Sequence, residues 1–188
     1  VVNIMNTVEG SSDAHALVAW VAGALAGAQA YESVTNMAYD GEYDVITPDT
    51  QDDLIAHLKA GDFMFHLVYG EVRVVEDINS LTTFDTQKTE DFRYNQTIRV
   101  IDQIANDIAR IFNTRYLGKI PNDASGRSSF VGAVVAHHKE LETLRAIESF
   151  DADEVKVSQG ETKRSIVVED VIKPVNAMSQ LYMTVYVE

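Results

Sequence analysis

In a 188-residue chain without cysteine, chemistry falls to histidines, carboxylates and hydroxyls, and the five histidines come first. His137-His138 stands with Glu140 and Glu142 in the only cluster with metal-like spacing, because His138 and Glu142, four apart, share one helical face. A zinc site needs more ligands than two, and no H-E-x-x-H run is present, so the cluster reads as a solvated helix surface. His15, His57 and His66 are scattered and read as residues on helix or strand faces. Asp40-Gly41-Glu42-Tyr43-Asp44 lacks the glycine and the late bidentate Glu of a calcium-binding hand. Glu76-Asp77 lies near a strand end, where adjacent side chains point to opposite faces and do not converge on a substrate. A turn or a subunit contact suits that pair better. Gly118-Lys119 lacks the upstream glycine and following hydroxyl of a phosphate loop, and there is no G-x-S-x-G elbow. Asn95-Gln96-Thr97 has the form of a glycosylation sequon but opens a predicted helix. No catalytic residue, metal or cofactor is therefore expected.

The elements that carry these residues follow from periodicity and punctuation. Val1–Asn6 reads as a strand, and Gly10-Ser11-Ser12-Asp13 as a turn and helix N-cap. A helix then runs to about Tyr31, with Gly23-Ala24-Leu25-Ala26-Gly27 as a small-residue stripe for tight packing on a sheet. Tyr43–Ile46 is a short extended piece. Thr50 and Asp53 form a capping box for a short helix ending near Ala60-Gly61. Phe63–Tyr69, Gly70 and Glu71–Ile78 make a hairpin pattern. Ile98, Ile101, Ile104, Ile108, Ile111 and Phe112 give helical spacing from about Asp91 to Tyr116, stopped by Gly118 and Pro121. A second long helix is predicted over Arg127–Ser149. Ala152–Ser158, Arg164–Lys173 and Leu181–Val187 read as closing strands. The order implies an α+β fold, with two long helices packed on a mixed β-sheet.

Length fits a single domain over 1–188 that buries its own core without disulfides or metals. The net charge of −14 argues against a nucleic-acid partner. It is unevenly spread, with 15 acidic and 3 basic residues in 1–90 and a mildly basic stretch over Phe92–Ala146. Such a chain can dock onto copies of itself or onto a charged partner. No signal peptide is visible, and Ala14–Ala30, the most apolar run, is shorter than a membrane span, so no membrane partner is expected. Val1-Val2-Asn3-Ile4-Met5 starts as a strand without an initiator methionine, as a piece of a longer chain would.

Several segments resemble the C-terminal region of contractile-tail sheath proteins of phages and prophage-like elements. They are Ser33-Val34-Thr35-Asn36 with Tyr39-Asp40-Gly41, Val75–Phe84, Arg99-Val100-Ile101-Asp102, Asn106-Asp107-Ile108 and Tyr116–Asn122. Pro174-Val175-Asn176-Ala177-Met178 and Leu181-Tyr182-Met183-Thr184-Val185 complete the set, in order from about residue 14 onward. The family's N-terminal linking arm and outer insertion domains have no counterpart among these segments.

The resemblance implies a non-enzymatic subunit of a virion tail or phage-tail-like particle, assembled in the bacterial host cytoplasm. Six copies per ring would stack around an inner tube protein, with a baseplate and a tail terminator at the ends. Contraction would drive the tube through a target envelope. Residues 174–188 would be a linking arm. Its strand, Leu181, Tyr182, Met183, Thr184, Val185, Tyr186 and Val187, alternates apolar and aromatic or hydroxyl side chains and sits after Lys173-Pro174, so a neighbour's sheet edge can receive it. Arg93, Arg99, Arg110, Arg115, Arg127 and Lys139 are candidates to face an acidic tube surface. The alternatives are another ring or terminator component of such a particle and, from a different class, a small α/β enzyme using His137-His138.

Overall fold

The computed structural model describes residues 1–10, 15–47 and 50–187. The turn and cap expected at Gly10–Asp13 therefore lie largely outside the described residues. The chain forms two compact units, Val1–Thr97 with Asn176–Glu188, and Ile98–Val175.

The first unit is built around one bent extended run. Strand β1 (Asn3–Ile4) pairs in parallel with β2 (Asp62–Phe63), and β3 (Phe65–Val68) pairs antiparallel with β4 (Glu71–Val74), register Phe65 with Val74. Met64 joins β2 to β3, and its carbonyl accepts from Val75 N–H at 2.8 Å. Tyr69 and Gly70 turn the hairpin with φ of 49° and 88°, a two-residue turn whose twist matches the strands. The outer edge of β4 is closed by residues 36–39. Asn36 and Tyr39 donate to the Val74 and Val72 carbonyls, and Val74 donates to Met37.

Helix α1 (His15–Gly27) covers this sheet with Leu17 and Val21, which pack with Val34, Phe63, Phe65 and Val74 into one core. Trp20, Tyr39 and Phe65 meet edge-on or tilted at centroid distances of 5.1–5.6 Å. Of the small-residue stripe, Ala24 and Leu25 pack on this core but the two glycines do not. Gly23 and Gly27 are exposed with open space around them, because the bulky positions Leu17, Trp20 and Val21 claim the sheet. Helix α2 (Gln51–Lys59) begins as its capping box predicts, with Thr50 Oγ1 accepting from Asp53 N–H.

In the second unit, α3 (Asn95–Ile111) continues into a π turn over Phe112–Tyr116, and α4 spans Ala124–Thr143. The first three residues of α3 belong to the first unit. Helix α4 starts three residues earlier than periodicity suggests because Asp123 caps Gly126 N–H at 2.8 Å. Gly126 has no room for a side chain, since a Cβ there would meet the Pro121 carbonyl. The helix also ends short of Ser149. Arg145 turns left-handed at φ 60°, and Ala146 N–H reaches back to the Leu141 carbonyl at 2.9 Å.

Strands β5 (Lys156–Gln159) and β6 (Ile166–Glu169) form an antiparallel hairpin. Its Val157, Ile166 and Val168 pack on Phe112, Phe130 and Val134 of the helical layer. A single mixed sheet carrying both long helices is thus not what forms. Mixed pairing lies in the first unit under α1, and the long helices pack on a separate hairpin in the second. Their isoleucine stripe matches that hairpin, while the aromatic residues of β2 and β3 are already covered by α1. Ala152–Glu154, expected as the start of a strand, is a 3-10 turn capped by Asp151. Leu181–Val187 belongs to no strand of the isolated chain.

Candidate assembly surface

The histidine pair is structural. Phe130, Val134, His138 and Leu141 share one buried stripe of α4, and His138 is 0% exposed. Its Nε2 lies 2.5 Å from Asp170 Oδ2 and its Nδ1 lies 3.0 Å from the Val134 carbonyl, with the Phe150 ring against it. His137 Nε2 stands 3.1 Å from Asp107. The surface expected to be solvated here is instead a largely buried hydrogen-bond network, because His138 falls in register with the apolar stripe. Glu142 is exposed, and its Oε1 accepts from Phe150 N–H.

The other chemistry-bearing residues are also engaged in the fold. His57 Nδ1 sits 2.8 Å from Asp62, whose other oxygen accepts from Asn3, tying α2 to β1 and β2. Asp77 is buried and accepts from Val34 N–H and Asn95 Nδ2. His66 lies on β3, where burial pushes its imidazole below the ordinary range. Among the described residues no group of three or more His, Asp or Glu is placed to hold a metal, and no helix is long and apolar enough to cross a membrane.

What stays open is apolar. From Leu181 to Val187, all six large side chains are 69–93% exposed. The root of this segment is fastened: Ala177 N–H donates to Gln96 Oε1 at 2.9 Å, and Thr97 Oγ1 donates to Asn176 Oδ1 at 3.1 Å. Gln96 and Thr97 are both buried, so two residues of the apparent sequon anchor the arm. Beside this anchor the Tyr94 phenol is pushed up, chiefly by burial and then by the carboxylates of Glu76 and Glu90.

The second unit presents an apolar groove. Ala105, Ala109 and Phe112 line one side and Ile166 and Val168 of β6 the other, with no residue of β5 in it. Among the described residues β6 pairs only with β5, so its other edge carries no strand. The isoleucines of α3 are only half-buried. Sequence reasoning placed Ile108 and Ile111 on an apolar helical face but passed over the groove. Its signal was the Ala105/Ala109 pair, four apart beside that stripe, facing the Ile166/Val168 alternation.

The six candidate tube-facing cations do not behave alike. Arg93 donates to the Leu58 carbonyl, Arg127 to Asn122, and Arg110 pairs with Asp107. Arg99 is half-buried on α3. Arg115 and Lys139 are exposed.

Known proteins resemble this chain in sequence and fold. A model of the phage tail sheath C-terminal domain matches residues 87–188, and one of the phage tail sheath protein central domain matches residues 1–80. The phage-like element PBSX protein XkdK of Bacillus subtilis is 31% identical over 178 residues, 90% of this chain and 38% of that protein. The crystal structure of a sheath tail protein from Listeria innocua aligns with a TM-score of 0.80 at 31% identity, over 94% of this chain and 43% of that one. A sheath tail protein from Desulfitobacterium hafniense aligns at 0.76 with 36% identity, over 85% of this chain and 37% of that one. The chain spans about two fifths of the length of these relatives. An exposed arm, an open strand edge and two sheath domain models in order along one sequence lead to one assignment: the chain belongs to the phage tail sheath family.

Proposed function

We propose that the chain is the polymerising part of a contractile sheath, joined to its neighbours by exchange of Leu181–Val187. Residues 174–188 act as a linking arm on a sheath module spanning 1–188. The arm of one copy lies along the free edge of β6 in the next. Backbone hydrogen bonds supply affinity there, and alternate side chains in the groove supply register. The single observation that carries this reading is the coexistence of an unpaired, exposed strand-like arm and an unpaired strand edge beside an apolar groove. Neither is stable exposure for a lone chain, and each is the complement of the other.

Six copies close a ring, rings stack around an inner tube, and Arg115 and Lys139 are the cations best placed to meet an acidic tube. A baseplate and a terminator bound the stack in a virion tail or tail-like particle built in the host cytoplasm. Contraction draws on the metastable lattice and not on a nucleotide. Deletion of Leu181–Glu188 tests the reading. The expected product is a folded protein with an unchanged melting temperature that forms no sleeves in electron microscopy. Unfolding on deletion would place the segment in the chain's own core. Closed rings without sleeves from the intact chain would favour a ring or terminator component.

A further inference from the structure

We infer that a cleft over Phe112, Tyr116 and Phe130 is a docking site for a second copy of this chain, filled by that copy's Tyr43 with Glu42 and Asp44 on the rim. The contact is separate from the exchange of Leu181–Val187 and does not depend on it. The cleft encloses about 250 Å³, less than a cofactor or drug-sized ligand needs and a size for a side chain. The Phe130 ring in it stands 5.7 Å from Phe112 and 4.8 Å from Tyr116, centroid to centroid. Arg127, Lys163 and Arg164 line the same cleft, and among the described residues no carboxylate does. Lys163 and Arg164 are exposed, and neither joins an ion pair among the described residues. The wall that carries them is fixed, since Asn122 Nδ2 donates to the Lys163 and Ser165 carbonyls at 3.1 and 2.8 Å and Arg127 donates to Asn122. Phe112, Phe130 and Arg164 also border the groove beside β6, but Tyr116, Ile120, Arg127 and Lys163 are not part of that groove.

An aromatic cleft rimmed by cations is complementary to an aromatic side chain flanked by carboxylates. The chain itself supplies one. Of the exposed tyrosines Tyr31, Tyr43, Tyr69, Tyr182 and Tyr186, Tyr43 alone has a carboxylate on each side. Asp40 adds a further negative charge just before it, and no lysine or arginine occurs in the sequence before Lys59. Glu42, Tyr43 and Asp44 are all exposed. Their loop is preformed: Asp40 accepts from Trp20 Nε1 at 2.7 Å, and Glu9 N–H donates to the Asp44 carbonyl at 2.9 Å. Gly41 lies so close to the Tyr39 ring that a Cβ there would not fit. An aromatic anchor on a fixed loop, entering a fixed cleft, keeps the ordering cost of docking low.

The absence of cysteine allows a test that is intermolecular by construction. A full-length chain with Glu42→Cys, which keeps Tyr43 and Asp44, is mixed with one carrying Ile120→Cys, and a short bismaleimide is added. The control partner carries Lys139→Cys, on α4 about 18 Å along the helix from Arg127. Cross-linked heterodimers with Ile120→Cys and not with Lys139→Cys are the expected result. Lys163→Glu/Arg164→Glu in the Ile120→Cys chain lowers the yield about tenfold, and Asp44→Lys in the other chain recovers part of it. Tyr43→Ala in the Glu42→Cys chain abolishes it. Equal yields with Ile120→Cys and Lys139→Cys overturn the site, as does a yield that ignores both the charge reversals and Tyr43→Ala. No cross-link, together with loss of assembly on tubes from Lys163→Glu/Arg164→Glu, would give the cleft to the tube and overturn docking of a second copy. Sleeves are not the readout for docking, so failure of arm exchange would leave these outcomes distinguishable.

Discussion

Strands β4 and β6 are both four residues long and both lie at the rim of a two-stranded pairing, yet their outer edges are finished differently. The chain itself closes β4, through residues 36–39. On β6 the outer edge carries no strand among the described residues, and it lies next to a groove of Ala105, Ala109 and Phe112. The first unit likewise has Phe63, Phe65, Leu17 and Val74 at 0% exposure, whereas the isoleucines of α3 in the second are half-covered. A closed edge satisfies its backbone hydrogen bonds within the chain. An open edge and an unfinished apolar face are what the exchange proposed above would complete.

The largest effect that would sharpen this contrast is in the closed core. Phe65→Ala removes a ring packed on Trp20, Tyr39 and Phe63 and is expected to cost about 3–5 kcal/mol, read by denaturant unfolding. A smaller cost, of about 1 kcal/mol, would mean that the first unit is loosely packed. Next comes His138→Ala in the second unit, which leaves Asp170 facing a cavity. It is expected to cost about 3 kcal/mol, from the lost hydrogen bond and the cavity together.

In the open groove, by contrast, Ala109→Arg is expected to leave stability within about 0.5 kcal/mol while abolishing polymers. If instead it unfolds the chain, the groove is part of the chain's own core and the contrast fails. The smallest effect is a pH dependence in the first unit. Burial lowers the His66 pKa from its ordinary value, so the folded state prefers the neutral ring. His66 then contributes no penalty above the unfolded pKa. The penalty grows as pH falls through that value and is complete below the folded one. Wild-type stability should therefore fall slightly more steeply on acidification below pH ~6.5 than that of His66→Gln.

What was legible in sequence was local, in both units. The capping box at Thr50, the hairpin around Tyr69-Gly70 and the helical spacing of the α3 isoleucines are local signals, and the chain obeys each of them. The misreadings had non-local causes. The end of α4 turns on Arg145 in a left-handed conformation usually left to glycine, a position nothing in composition marks. His138 looked like a surface residue because histidine usually is one. Its carboxylate partner lies 32 positions away, and only folding brings Asp170 to it. The expected single sheet failed because strand patterns do not say which helix covers which strand. The arm pattern was visible, but the acceptor proposed for it was not, since Ala105, Ala109, Ile166 and Val168 become a groove only when a helix and a hairpin meet.

The placement of arm and groove in different parts of one sequence has a consequence of symmetry. A contact between two identical patches is satisfied by two molecules and then stops. A contact between an arm on one copy and a groove on the next leaves an unused arm at one end of every assembly and an empty groove at the other, so growth ends only by closure or by a different molecule. Any filament built this way is directional. Its two tips are chemically distinct, one displaying Leu181–Val187 and the other the free edge of β6, and a capping protein at either tip has to imitate one of those two surfaces.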